Sequence, residues 1–302
     1  MKKALLVGIN QYSQAPLRGC VNDVKEMREV LTSLFGFASE NVRVLTDEGA
    51  NRQAINVGLA WLAESGNEPS VRVFQFAGHG HFLPDAHGDE ADGSDETLVP
   101  HDYLQNGFLI DDDLRLIYQK FPPNSNLTLL MDCCHAGTNQ RDSAEDIIYR
   151  FLPNTFEERK AIAAAKKKFH EEQRKFVMAE LKEFSKIRGR DDELEKRIEA
   201  AMQKFQKQRF GEYQLREGNV LLAACRSDQS AADAKIDRAY HGAFSFCLVK
   251  VLRESQGKIT YHDLVQRVGG LLYAHSFQQT PQLEYATGRE NTDVFTPFST
   301  SL

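Results

Sequence analysis

The chain has 302 residues, a formal net charge of −6 and 41% hydrophobic residues. That size suits one large soluble domain, or one domain carrying an insertion, and the mild acidity speaks against a general nucleic-acid footprint. No run approaches the ~18 apolar residues of a membrane span. The opening "MKKALLVGIN" is too short in its apolar part for a signal peptide. A cytoplasmic protein is therefore expected, with neither nucleic acid nor membrane among its partners.

In chain order, "KALLVGIN" (Lys3–Asn10) reads as a buried strand. Val21, Val24, Met27, Val30, Leu31 and Leu34 follow at helical spacing, with Gly36 as the stop. "VRVL" is a second strand and Arg52 to Ser65 a second helix; "VRVFQFA" (Val71–Ala77) is a third strand. "LIDDDLRLIYQKF" reads as a helix with acids in its first turn, where the dipole favours them, and "LTLLMD" (Leu127–Asp132) as a fourth strand. From about Asn154 to Gln208 the composition turns to Lys, Glu, Arg and Ala. Two charged helices broken near Ile187–Asp192 are expected there, with a narrow apolar stripe of Phe169, Phe176, Met178, Leu181 and Phe184. This is either a solvated hairpin or a regulatory linker. "NVLLAAC" (Asn219–Cys225) is a further strand, two helices follow, and "PQLEYA" is the last strand. Alternating strands and helices imply an α/β fold with a mostly parallel sheet covered on both faces.

The five cysteines, Cys20, Cys133, Cys134, Cys225 and Cys247, are odd in number and unevenly spaced. That suggests reduced thiols, not a disulfide framework or a CxxC zinc site. Two apolar runs end in chemistry: "FAGHG" places His79 after one strand, and "DCCHAGT" places Cys134 after another. Groups at the carboxyl ends of neighbouring parallel strands face a common crevice. An imidazole there can take a thiol's proton and later return one to a leaving group. The N–H groups of Gly80 and Cys134 are placed to hold a developing oxyanion.

These two boxes resemble the His and Cys boxes of the metacaspases, the caspase-like cysteine peptidases of clan CD, family C14, which include prokaryotic caspase homologues. "LRGCVNDV", "GDEADGSDETLVPHDY", "LLAACRSDQSAADA" and "GAFSFCLVKVL" resemble further elements of that family. The likeness covers about residues 1–142 and 218–290. It implies a caspase-like (caspase-hemoglobinase) fold with a central six-stranded sheet flanked by helices. Residues 1–142 would form a p20-like catalytic region and 143–217 a charged helical insertion. Residues 218–302 would form a p10-like region completing the same α/β domain.

The resemblance makes Cys134 the nucleophile, since Cys133 stands where the family usually has Ser, and His79 the base. It places Asp23, Asp132 and Cys20 in a pocket for a basic side chain, so cleavage after Arg or Lys is implied. Physics agrees, because a buried carboxylate pair is costly unless a cation completes it. It also matches Asp95, Asp111, Asp112 and Asp142 to a calcium site, making calcium a possible activator while the chemistry itself needs no cofactor. Expected partners are peptide substrates with Arg or Lys before the scissile bond, and an activating protease or regulator. A zymogen cut within residues 141–217 is expected, with Arg141, Arg150, Lys166, Lys167, Lys168, Arg188 and Arg190 as basic targets and Gly189 marking the most accessible tip. Two rival readings are an inactive scaffold with the same fold, and a vicinal-thiol redox sensor built on Cys133 and Cys134.

Overall fold

The computed structural model describes residues 1–64, 69–85, 93–110, 114, 117–118, 120–121, 125–134, 147–182, 191–210, 219–285 and 291–297. The chain divides into two compact units. The first comprises Met1–His81, Glu96–Pro153 and Leu215–Leu302, and the second Phe82–Asp95 and Asn154–Gln214.

The first unit is built on a six-stranded sheet of β1 (Lys2–Gly8), β2 (Val42–Thr46), β3 (Ser70–Ala77), β7 (Ser125–Asp132), β9 (Asn219–Ala223) and β12 (Gln282–Tyr285). Their order is β12-β9-β7-β3-β1-β2. The strands run parallel except β12, which pairs antiparallel with β9. All eight residues of β3 are buried, as expected of a central strand covered on both faces. The helix α1 (Cys20–Leu34) buries Cys20, Val24, Met27, Val30 and Leu31, a 3–4 spacing that turns one stripe to the sheet. Gly36, at φ +64°, follows its end in the left-handed conformation that favours glycine. Asn51 caps α2 (Arg52–Ala63) by accepting from the Ala54 N–H at 2.9 Å.

A smaller sheet was not legible in the sequence. It joins β8 (Ile147–Tyr149), β10 (Ala232–Ile236) and β11 (Ala239–Gly242) in the order β11-β10-β8. The segment up to Pro153 therefore belongs to the first unit, with the sheet, and not to the unit of the charged helices. Of the helix expected over "LIDDDLRLIYQKF", residues 111–113, 115–116 and 119 lie outside the described residues, Leu114, Ile117 and Tyr118 are helical, and the first two residues, Leu109–Ile110, form a short strand instead.

The second unit contains the two expected charged helices, Phe156–Lys182 and Asp191–Phe210. Thr155 and Glu158 form a reciprocal capping box at the first: Glu158 Oε2 accepts from the Thr155 N–H at 2.7 Å, and Thr155 Oγ1 from the Glu158 N–H at 3.2 Å. The apolar stripe is narrower than the sequence suggests. Phe169 is buried and Phe176 half-buried, and both rings meet Phe205, at 5.6 and 5.4 Å, while Met178 is exposed. Phe184 lies outside the described residues.

Candidate active site

β3 and β7 are direct neighbours, with Ala77 opposite Asp132 in register. His79 and Cys134 each lie two residues beyond that pair, and both are fully buried. His79 Nε2 donates to the Ala15 carbonyl at 2.6 Å, which leaves Nδ1 as the basic nitrogen of the neutral ring. Nδ1 has no hydrogen-bond partner of good geometry, although the Arg150 backbone lies near enough to favour the protonated form. Burial prevails and lowers the imidazole pKa to about 4. Tyr12 clamps this corner. Its ring lies 4.6 Å from the imidazole, its hydroxyl accepts from the His79 N–H at 3.1 Å and donates to the Val99 carbonyl at 2.9 Å. Gly78 leaves room for it, since an added methyl would overlap the phenol oxygen.

The Cys134 thiol sits against Ala231, accepting from its N–H and donating to its carbonyl at 3.4 Å. The adjacent Cys133 thiol is pushed well above its usual pKa by burial.

The residues expected to form a cation pocket come together around a cation already present: Arg150, which is 0% exposed. Its Nη2 meets Asp23 Oδ2 at 2.5 Å and Asp233 Oδ2 at 3.1 Å. Its Nη1 meets Asp132 Oδ2 at 3.0 Å and the Asp132 carbonyl at 3.2 Å. Each acid is itself anchored. Asp23 accepts from the Gly242 N–H, Asp233 from the Gly19 N–H, and Asp132 from the Ser245 N–H at 3.1 Å. Cys20 contributes a thiol contact to Asp233 at 3.8 Å. Asp23 also faces the His241 imidazole at 3.2 Å, so the three carboxylates share a guanidinium and a histidine. Burial raises the Asp132 pKa, to about 6, against the pull of Arg150 and with the Asp23 carboxylate adding to the rise.

The backbone of Arg150 is held as closely as its side chain. Its carbonyl oxygen accepts from the N–H groups of Gly80 at 3.0 Å and Cys134 at 3.1 Å, and its N–H donates to the Ala231 carbonyl at 3.0 Å. The three preceding residues pair antiparallel with β10: Tyr149 with Ala232, Ile148 with Asp233 and Ile147 with Ala234. A peptide with a basic last residue thus lies along the sheet edge, its carbonyl between the two amides that the sequence singles out.

Asp233 and Gly242 were missed by sequence reasoning; both belong to the unforeseen β10–β11 hairpin. Of the four calcium candidates, only Asp95 is described, and it is buried; Asp111, Asp112 and Asp142 lie outside the described residues. Among the described residues no group of three or more His, Cys, Asp or Glu side chains is arranged to hold a metal. Of the expected processing sites, Lys168 is exposed on the first charged helix, and Arg141, Arg188 and Arg190 lie outside the described residues. No described helix is long and apolar enough to cross a membrane.

A family model described as the metacaspase, peptidase C14 domain matches residues 2–141. A metacaspase-1 from Meyerozyma guilliermondii is 31% identical over 297 residues, covering 93% of this chain and 68% of the relative. One from Scheffersomyces stipitis is 30% identical, covering 93% of this chain and 70% of the relative. Among solved structures, a protein from Geobacter sulfurreducens superposes with a TM-score of 0.64 at 22% identity, covering 99% of both chains. Caspase-1 from Spodoptera frugiperda does so with a TM-score of 0.53 at 11% identity, covering 95% of this chain and 87% of the other. These likenesses show the caspase-like fold.

Proposed function

Since the chain belongs to the metacaspase family and is a cysteine-type peptidase, we propose that it is an endopeptidase cutting after Arg or Lys, with Cys134 as nucleophile and His79 as base, made as a zymogen that its own Arg150 keeps closed. The observation that carries this reading is the pose of Arg150. Its guanidinium meets Asp23, Asp132 and Asp233 while its carbonyl oxygen faces the Gly80 and Cys134 amides.

On this reading the Cys134 thiol first turns from its contact with Ala231 toward His79. Neutral His79 takes the Cys134 proton at Nδ1, held in the right tautomer by the Ala15 carbonyl. The thiolate attacks the carbonyl carbon, and the negative charge that builds on its oxygen faces two fixed N–H donors. The imidazolium then protonates the departing amine, and water releases the acyl group from sulfur. The pocket acids fix which residue precedes the scissile bond. Arg150–Phe151 becomes the bond placed for self-cleavage, ahead of the sites in the charged helices.

A positional scan of fluorogenic peptides, with and without calcium, tests the reading. Turnover of Arg and Lys peptides that vanishes in Cys134→Ala is expected. A preference for Asp before the scissile bond would overturn it, and so would full activity in Cys134→Ala.

A further inference from the structure

We infer that the protein also reseals the bond it cuts: the Arg150 acyl group, once on Cys134, is handed back to the Phe151 amine, an internal peptidyl transfer that competes with hydrolysis. This deepens the proposed function and rests on the reading of Arg150–Phe151 as a self-cleavage bond.

The argument starts from Gly80. Its N–H donates to the Arg150 carbonyl at 3.0 Å, and its own carbonyl accepts from the Leu152 N–H at 2.9 Å. One residue therefore grips the chain on both sides of the bond to be broken, and Phe151 lies opposite it in a parallel bridge. The amine side has a second anchor, because His81 Nδ1 donates to the Leu152 carbonyl at 2.9 Å. The His81 ring is stacked on Phe108 at 4.6 Å, and Leu152 is buried. The acyl side keeps the three carboxylates, the Ala231 carbonyl and the pairing with β10. Cutting breaks one covalent bond and none of these contacts.

The steps balance. The Cys134 thiol adds to the Arg150 carbonyl and the C–N bond to Phe151 breaks. The thiol proton travels through His79 to the new amine, which is born neutral. In the reverse step that amine attacks the thioester, the C–S bond breaks and the proton returns to sulfur. Hydrolysis instead consumes one water and leaves a free Arg150 carboxylate. A reactant held in place acts at an effective concentration on the order of 10⁵ M or more, so while Leu152 stays clamped the retained amine outcompetes water. Accumulation of cut chain is then governed by withdrawal of residues 151–153, not by bond breaking.

The test uses the full-length protein, with calcium in every arm and Cys134→Ala as control. Self-cleavage is followed by mass spectrometry with and without hydroxylamine, which captures the thioester as an Arg150 hydroxamate. Hydroxylamine should speed the appearance of the fragment ending at Arg150 roughly fivefold or more by diverting acyl groups that would return to the amine. His81→Phe, which keeps the ring stack but loses the bond to Leu152, should raise cutting without hydroxylamine in the same direction. Cutting at one rate in both arms, with only a free carboxylate, overturns resealing alone. A chain that stays intact even in hydroxylamine overturns it together with the self-cleavage reading.

Discussion

The backbone N–H of Cys134 donates to the carbonyl oxygen of Arg150 at 3.1 Å. The proposed nucleophile thus holds, through its own amide, a peptide bond from sixteen residues further along the same chain. On the proposed reading the groove for a basic peptide is occupied from within, and the consequences can be measured.

Removing the internal cation is the most direct probe. Arg150→Ala leaves Asp23, Asp132 and Asp233 facing one another in a buried pocket with the guanidinium gone and only the His241 imidazole, 3.2 Å from Asp23, beside them. Breaking such a cluster costs about 3–5 kcal/mol, so thermal unfolding in a Cys134→Ala background should fall sharply. Arginine amide at millimolar concentration should restore much of the loss by refilling the pocket, and lysine amide less, because its ammonium lacks the fork that reaches both sides. Equal rescue by an uncharged amide would contradict the pocket assignment.

The two adjacent thiols should separate cleanly. Cys134→Ala is expected to remove peptide cleavage by several orders of magnitude, and His79→Ala nearly so. Cys133→Ser should keep substantial activity. Turnover measurements that reverse the two cysteines would move the nucleophile by one residue.

Gly242 offers a test of pocket shape. An added methyl there would overlap the Asp132 carboxylate and the Arg150 guanidinium. Gly242→Ala should therefore raise KM for Arg peptides about tenfold or more, the effect of losing roughly 1.4 kcal/mol of binding, while labelling of Cys134 by a small alkylating agent persists. An unchanged KM would show that the pocket can shift aside.

His79 predicts a pH dependence of stability. Its folded pKa, lowered to about 4 by burial, lies below the ordinary value of 6.5. Between those values the unfolded chain binds the proton and the folded one does not, so stability falls as pH drops from about 6.5 to about 4. The contribution is on the order of 3 kcal/mol across that window. Asp132 works in the opposite sense, since its folded pKa is raised to about 6; it favours the folded state as pH falls below 6. Denaturant titrations of Cys134→Ala with and without His79→Gln isolate the first effect. The slope should flatten in the double variant, and parallel curves would refute the assignment.

Much of this arrangement was legible in the sequence, for identifiable reasons. Short apolar runs ending in Gly or Asp marked β1, β3 and β7, but that β3 and β7 are neighbours was only a condition of the sequence reading, which their register in the sheet meets. His79 and the Cys133–Cys134 pair could be singled out because each follows an apolar strand within a distinctive local pattern; the choice of Cys134 and of Asp23 and Asp132 came from the metacaspase resemblance. Arg150 was one of seven basic residues between Arg141 and Arg190 expected as cleavage targets, and nothing in the sequence set it apart from the other six. What makes it special is burial against Asp23, Asp132 and Asp233, which lie 127, 18 and 83 residues away, and no local spacing encodes that. Asp233 was hidden for a related reason: β10 is only five residues long, rich in alanine and set in a sheet whose partners come from both sides of the charged region.

That split has a consequence for biosynthesis. His79, Cys134 and Arg150 emerge from the ribosome well before Ala231, Asp233 and Gly242. At the usual ~5–20 residues per second, the interval is on the order of ten seconds. During it the nascent chain carries a thiol and an imidazole but only two of the three pocket acids, and it lacks the strand against which a substrate would align. Competence arrives only when the last part of the groove is translated, and by then the chain's own arginine is already tethered beside it. On the proposed reading, a protease for Arg and Lys bonds is thus never exposed on a translating ribosome with its groove complete and empty.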